Sequence, residues 1–182
     1  NVPRTEWGYQ VEAALVQVEE PFILWWFDEI FPLSEIPNDL FLEAADIISN
    51  TPDVGIVQLT RYYFKQATPT IGSFGEFPRG VAGRCSAMPA IFRKDILLHL
   101  VRELRQSNWF EQQSAGVLLR DFPDVRVMAP SKPMFRLCDN ALLAGPWRSC
   151  AVKHLGELGI NVDFSIRGIA PVASDYMDGV PA

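Results

Sequence analysis

The chain has 182 residues, of which 48% are hydrophobic and 21% are charged, and its formal net charge is −6. This composition excludes a disordered, collagen-like or coiled-coil protein and predicts one globular domain with a real core. The acidic balance leaves no basic face to neutralise a phosphate backbone, so nucleic acid is excluded as a main partner.

The first predicted elements are a helix and a strongly apolar strand. Apolar residues recur at helical spacing over residues 7–18, and Thr5 stands at the N-cap position. Residues 22–27 are a continuous apolar run that stops at Asp28 and Glu29. Such a run is typical of a strand buried on both faces of a helix-covered sheet.

The next segments continue this pattern and then break it. A helix is predicted over residues 36–48 and a strand over residues 54–60. Helix, strand, helix, strand is the order of an α/β sheet with helical crossovers. Residues 65–83 hold four glycines and two prolines, so they predict a long loop, which we interpret as a lid over a bound ligand.

The second half of the chain predicts further strands and helices. Strands are predicted over residues 85–92 and 125–128, and helices over residues 96–104, 109–119 and 147–158. Gly159 is placed to end the last helix as its C′ residue. The chain is therefore interpreted as a single α/β domain over residues 1–165 with a C-terminal tail over residues 166–182.

Cysteine usage and apolar runs indicate a compartment. Cys85, Cys138 and Cys150 are odd in number, widely spaced and outside any CxxC or Cys/His pattern. We therefore expect neither a disulfide framework nor a structural zinc site, and a reducing cytosol fits best. The longest apolar run is far shorter than the roughly 20 residues of a bilayer-spanning helix, and no signal peptide is visible. These features predict a cytoplasmic protein without a transmembrane segment.

Two adjacent acids, Asp28 and Glu29, end the most hydrophobic predicted strand. In open α/β sheets, ligands lie beyond the carboxyl ends of the strands. Hard divalent cations bind carboxylate and phosphate oxygens together. The pair is thus a candidate site for Mg²⁺ or Mn²⁺ beside a diphosphate. The alternative is that acids at a strand end simply meet solvent.

A third acid, Glu111, follows Trp109 and Phe110. A carboxylate beside two aromatic rings can have a raised pKa, which suits a general base. The alternative interpretation is a surface glutamate on a short helix whose aromatic residues belong to the core.

Cationic and aromatic residues at helix starts are further candidates. Arg93 and Lys94 stand at the start of a predicted helix, where a positive charge interacts unfavourably with the helix dipole. One interpretation is that the two side chains bind an anion. The alternative is that they belong to a solvated surface. Trp7, Trp109 and Trp147 stand at helix starts, where an indole can stack on a sugar ring or belong to the core.

Several segments, taken in order, resemble a family of small bacterial GT-A-like glycosyltransferase domains of envelope-polysaccharide synthesis. Residues 22–31, FILWWFDEIF, look like its apolar strand with a "DDyF" or "EDyF" motif, preceded by the helix at residues 7–15. The other similar segments are residues 86–95 to "SLQpAIWRKd", 108–111 to "spWdFE", 140–147 to "N…GkW" and 159–163 to "Gi.vD". The resemblance covers most of the chain.

The resemblance implies a GT-A-like fold, a mixed sheet covered by helices that binds a nucleotide-diphospho-sugar donor at its strand ends. It implies transfer of the sugar to a glycan or glycolipid acceptor hydroxyl, in the cytoplasm or at the inner face of the membrane. Glu111 falls on or next to the acid that faces the acceptor, as the catalytic base. The implied donor site is Asp28, Glu29 and Arg93, with Mn²⁺ or Mg²⁺ on the two acids, and the implied acceptor contacts are Trp109 and Trp147.

This chain also departs from the family pattern. Glu29 replaces the second Asp of the acidic motif, and Met88 and Phe92 stand where the family has Gln and Trp. The "WdFE" segment is one residue shorter at residues 109–111. The family's first strands are missing, and the chain opens at Asn1 without an initiator Met, so we expect an N-terminally incomplete domain with residues upstream.

Two other function classes stay open. A noncatalytic carbohydrate-binding or scaffold domain would keep the fold and the aromatic residues without a metal. A nucleotidyltransferase would share the sheet and a metal-binding acid, but it needs a glycine-rich basic phosphate loop early in the chain, which the sequence lacks. The sequence also has no GxSxG, P-loop or GxGxxG motif for hydrolase, kinase or dehydrogenase chemistry.

Overall fold

The computed structural model describes residues 6–28, 30–60, 69–81, 83–86, 88–138, 141–142 and 145–170. The chain divides into two compact units. Unit 1 comprises Asn1–Trp26 and Asn38–Lys132, and unit 2 comprises Phe27–Pro37 and Pro133–Ala182. The single domain predicted over residues 1–165, with its tail, stays a prediction.

The described elements follow one another along the chain as five α-helices, seven strands and one short 3₁₀ helix. In order they are α1 Trp7–Leu15, β1 Phe22–Trp25, β2 Phe31–Pro32, α2 Asn38–Asn50, β3 Val54–Gln58, β4 Phe74–Glu76, β5 Ala90–Arg93, α3 Lys94–Leu104, α4 Ser107–Asp121, β6 Arg126–Pro130, β7 Leu137–Cys138, α5 Ser149–Glu157 and the 3₁₀ helix Phe164–Ile166. The predicted order of helix, strand, helix and strand in the first part of the chain is found as α1, β1, α2 and β3, with the two-residue strand β2 added between β1 and α2. Thr5, the predicted N-cap, lies outside the described residues.

Unit 1 is built on a five-stranded sheet in the order β1-β5-β3-β6-β4. Strands β3 and β6 are parallel, and the other neighbouring pairs are antiparallel. The predicted mixed α/β sheet flanked by helices is confirmed at this level. Parallel neighbours need a crossover connection, which the helices between β3 and β6 provide.

One face of the sheet carries the main core. Ile56 lies opposite Phe92 on one side and Val127 on the other, and all three side chains are fully buried. Helices α1, α3 and α4 cover this face with Leu15, Leu97, Leu100, Val101, Phe110 and Leu118, among others. The apolar stripe predicted for residues 96–104 is confirmed, because α3 buries it throughout. Helix α2 packs against β3 and β5, and all five residues of β3 are buried.

Helix α1 is fixed to the end of α3 by a close backbone approach. The Gly8 N–H donates to the Arg105 carbonyl over 2.8 Å. A Cβ at Gly8 would lie 2.5 Å from the Arg105 Cα, so only glycine fits there. Glu12 accepts from Arg102 Nε at 2.7 Å and from Arg105 Nη1 at 2.5 Å, and Arg105 also stacks over Tyr9.

The prediction that the first strand is buried on both faces is wrong. Strand β1 is an edge strand that, among the described strands, pairs with β5 alone, and Leu24 is 49% exposed. It ends at Trp25, and Trp26 lies outside it. Ile23 and Trp25 pack against the core cluster, whereas the side chain between them faces away. A continuous apolar run therefore marks burial on one face here.

The predicted loop over residues 65–83 contains structure. Residues 61–68 lie outside the described part, but β4 forms at Phe74–Glu76, with Phe74 and Phe77 fully buried. Glu43 of α2 accepts from the Ser73 N–H over 2.6 Å. The interpretation of this segment as a free lid is wrong for its described central part, which is anchored to the sheet and to α2.

Unit 2 is small and is organised around α5. Strands β2 and β7 pair antiparallel, with Phe31 opposite Cys138. Helix α5 ends before Gly159, whose φ of 69° confirms the predicted C′ role. The backbone of Trp147 bonds to Gly168 and Ala170 over 2.9 and 2.7 Å.

A disulfide joins Cys138 of β7 to Cys150 of α5, so the expectation of no disulfide is wrong. The two cysteines are 12 residues apart in sequence but their Cα atoms are 6.3 Å apart, within the usual span of a disulfide. Their proximity arises from the packing of α5 on β7, which the spacing of cysteines in the sequence does not reveal. Cys85 is free and buried.

Candidate functional site

Three strands of unit 1 end at the same edge of the sheet. Strands β1 and β3 both run antiparallel to β5, and β6 runs parallel to β3. Trp25, Gln58 and Pro130 therefore lie at one edge, the edge at which ligands bind in open α/β sheets. Arg93, the predicted donor contact, lies at the opposite edge, because it pairs with Phe22 at the start of β1.

Asp28 follows the end of β1 by three residues and is exposed to solvent. It belongs to unit 2, and its neighbour Glu29 lies outside the described residues. Among the described residues, no group of three or more His, Cys, Asp or Glu side chains is placed to hold a metal ion. The metal site on Asp28 and Glu29 therefore stays a prediction, with the carboxylate of Asp28 accessible to a cation.

Polar side chains that are not among the sequence-based candidates are buried near the end of β3. Gln58 is 2% exposed, and its Nε2 donates to the carbonyls of Gly83 and Arg84 over 2.9 and 3.0 Å. Thr60 is buried as well, and its Oγ1 has no hydrogen-bond partner in the part of the chain that is described. A glutamine interrupting the apolar run at residues 54–59 is the signal that could have found this cluster.

These bonds hold residues 83–86 under helix α4. The Ser114 hydroxyl of α4 donates to the Cys85 carbonyl, which fixes the segment from the helix side. Burial raises the pKa of the Cys85 thiol to about 12, so this cysteine stays protonated and is no nucleophile at neutral pH.

Arg84 is the most unusual side chain of this segment. It is 1% exposed and donates from Nη2 to the Val125 carbonyl over 2.6 Å, while Nε and Nη1 have no partner among the described residues. Burial lowers its pKa first, and the nearby cation of Arg79 lowers it further. A guanidinium buried with so few bonds is costly, and Gln58 is one of the groups that hold its backbone in place.

Arg93 is held within unit 1 by backbone carbonyls. Its Nε donates to Val54 over 2.8 Å, and its Nη2 donates to Ile48 and Thr51 over 2.9 and 3.1 Å. The guanidinium also lies 5.5 Å from the centre of the Phe22 ring. Arg93 therefore ties the end of α2 to the start of β3, a structural task that neither sequence interpretation of it had anticipated.

Helix α4 places two adjacent aromatic side chains in different environments. Phe110 is fully buried between Trp7 and Trp25, with ring centres 5.8 and 5.7 Å away. Trp109 is 41% exposed, and Glu111 is exposed as well. The helical rotation thus sends Phe110 into the core and presents Trp109 and Glu111 on the surface of unit 1, on opposite sides of Phe110 and about 200° apart around the helix axis.

Trp147 is half-buried in unit 2. Its ring packs edge-on against Phe164 at 5.5 Å and lies 6.3 Å from Phe31. These contacts give it a packing role in unit 2 and leave only part of the indole to stack on a sugar. Of the predicted site residues, Asp28 and Trp147 thus lie in unit 2, whereas Arg93, Trp109 and Glu111 lie in unit 1.

Among the helices of the described residues, none has both the length and the apolar character needed to cross a bilayer. The disulfide is a bond that a reducing cytosol does not favour, so the cytoplasmic location stays a prediction. No family model matches this chain, and neither the curated proteins nor the solved structures contain a significant match to it.

Proposed function

We propose that this chain is a GT-A-like glycosyltransferase domain that moves a sugar from a nucleotide-diphospho-sugar to an acceptor hydroxyl of a glycan or glycolipid. The proposal rests on the ordered resemblance of the segments and on a mixed α/β sheet flanked by helices. The observation that carries it is Asp28, an exposed carboxylate three residues after the end of β1 in the sequence. That strand ends at the sheet edge where such folds bind their ligands.

Glycosyl transfer needs two tasks from the protein. The departing diphosphate needs charge stabilisation, and the acceptor hydroxyl needs a base if the reaction inverts the anomeric centre. Asp28 is the candidate for the first task, with Glu29 beside it in sequence, because carboxylates suit Mg²⁺ or Mn²⁺. Such a cation would neutralise the leaving diphosphate. Glu111 is the candidate base, and the exposed face of Trp109 is the candidate acceptor platform.

A noncatalytic carbohydrate-binding domain is the second candidate. The observation in its favour is the exposed indole of Trp109, which suits sugar stacking without any chemistry. The departures at Met88 and Phe92 do not help to decide, because both side chains are buried and can be explained as changes in core packing.

Thermal unfolding with nucleoside diphosphates tests the proposal. UDP, GDP, TDP and CDP would each be added with Mn²⁺ to the whole chain. We expect one of them to raise Tm by about 5–10 °C at a concentration roughly 100-fold above its Kd. Asp28→Ala should abolish the shift, since the cation that bridges to the diphosphate loses a ligand.

The matched control is Asp124→Ala, which removes an exposed acid from unit 1 and should keep the full shift. A shift that survives in Asp28→Ala would remove Asp28 from the donor site. No shift with any nucleotide, together with binding of free oligosaccharides that is lost in Trp109→Ala, would establish the noncatalytic alternative.

A further inference from the structure

The disulfide of unit 2 joins its two main pieces. Cys138 lies in β7, which pairs with β2, and Cys150 lies in the first turn of α5. The bond therefore links the small two-stranded sheet to the helix. A cross-link of this kind restricts the unfolded chain and so stabilises the folded one.

The apolar cluster around this bond is small. Among the described residues, its fully buried members are Cys138, Ala141 and Ala151, all with short side chains. Phe31, Leu33 and Trp147 pack against them and are only partly buried. Elsewhere in the described part of unit 2 the buried apolar residues include Leu137 and Leu155, whereas buried phenylalanines such as Phe92 and Phe110 lie in unit 1. Since burial of apolar area is the main stabilising term in folding, a small core gains more from a disulfide than a large one does.

The described part of unit 1 contains no disulfide. Its cysteine, Cys85, is free and fully buried, and its core contains large side chains such as Phe92 and Phe110. Reduction of the Cys138–Cys150 bond removes a restraint from unit 2 and changes no covalent bond in unit 1.

The exposure of the two cysteines indicates which sulfur atom a reductant attacks first. Cys138 is fully buried, whereas Cys150 is partly exposed. A thiolate of a dithiol reductant therefore attacks Sγ of Cys150, the S–S bond breaks, and Cys138 leaves as a thiolate that takes up a proton. The second thiol of the reductant then displaces Cys150, which also becomes a thiol, and the reductant ends as a cyclic disulfide.

We propose that the Cys138–Cys150 disulfide is a redox-sensitive lock on unit 2, by which we mean a restraint on β7 and α5. A dithiol reductant cleaves this bond and loosens the two elements, while unit 1 stays folded. The reaction consumes two electrons and two protons, which the two thiols of the reductant supply. Trp147 belongs to the same cluster, so opening the lock would loosen a predicted acceptor contact. That link to sugar transfer rests on the proposed function, whereas the lock itself can be tested without any activity.

Thiol counting and hydrogen exchange test the lock. After purification without reductant, the unfolded chain should show one reactive thiol, Cys85, and after dithiothreitol treatment three. Exchange on the native chain should then accelerate on the order of tenfold or more in peptides from β7 and α5 when dithiothreitol is added. Peptides from β3 and α3 should keep their protection.

The double variant Cys138→Ala/Cys150→Ala should exchange like the reduced protein and should not respond to dithiothreitol. Cys85→Ser is the matched control and should respond like the wild type. Three reactive thiols before reduction would overturn the proposal. It would also be overturned by unchanged exchange in β7 and α5 after reduction, or by equal acceleration in both units. Because the wild-type comparison needs no variant, a double variant that fails to fold leaves the test intact.

Discussion

Units 1 and 2 are stabilised in different ways. Unit 1 buries large apolar side chains between a five-stranded sheet and its helices. In the described part of unit 2, the cluster that buries Cys138, Ala141 and Ala151 completely is joined by a disulfide. Unit 1 is thus stabilised by packing spread over many residues, whereas unit 2 combines a smaller buried cluster with a covalent cross-link. Substitutions and solution conditions should therefore affect the two units separately.

The largest expected effect is in the core of unit 1. Phe110→Ala leaves a cavity between Trp7 and Trp25, so we expect the free energy of unfolding to fall by about 3–5 kcal/mol. Chemical denaturation followed by tryptophan fluorescence measures this loss. The neighbouring Trp109→Ala removes a side chain that is 41% exposed and should cost far less. Equal losses for the two variants would contradict the assignment of Phe110 to the core.

Much of unit 1 could be predicted from the sequence because its pattern is local. Helix α3 places Ile96, Leu100 and Leu104 on one face, and that spacing is readable without any knowledge of the partner. The apolar run at residues 22–27 predicts strand β1, but it does not predict that β1 lies at the edge of the sheet. Whether a strand is central depends on which strands pair with it, and this information lies elsewhere in the chain.

The candidate site was harder to predict for the same reason. Gln58 looks like an ordinary polar residue until the Gly83 and Arg84 carbonyls are placed beside it. The disulfide depends on the distance between Cys138 and Cys150, which arises only when α5 packs on β7. Asp28 and Glu111 were named from sequence, and the structure adds that both are exposed.

A substitution of Arg93 distinguishes a structural role of this side chain from a role in ligand binding. Arg93→Met removes donors from three backbone carbonyls and should lower the free energy of unfolding by about 1–3 kcal/mol. Hydrogen exchange should show the loss in unit 1 and not in unit 2. Arg102→Met, at an exposed arginine that pairs with Glu12, is the control and should change stability little. Loss of nucleotide binding without loss of stability would instead make Arg93 a donor contact.

The smallest expected effect is a pH dependence confined to unit 1. Hydrogen bonds from Arg105 first and Arg102 second lower the pKa of Glu12 below its usual 4.5. Because the pKa of Glu12 is lower in the folded state, its ion pairs add stability at pH values above the unfolded-state pKa of about 4.5. This added stability is lost as the pH falls from about 4.5 through the folded-state pKa. Glu12→Gln should therefore flatten the decline in Tm of unit 1 between about pH 5 and pH 3. A decline identical to that of the wild type would show that the pair adds no stability.

Turnover of nucleotide sugars by a Glu111 variant tests the proposed transferase most directly. Release of nucleoside diphosphate would be measured with UDP-, GDP- and TDP-linked hexoses, Mn²⁺ and a panel of glycan acceptors. We predict acceptor-dependent release by the wild type and by Glu103→Gln, a control on the neighbouring helix α3. In Glu111→Gln, release should be lost while the nucleotide-induced rise in Tm remains. Release by Glu111→Gln at the wild-type rate, or by the wild type from none of these donors, would contradict the account.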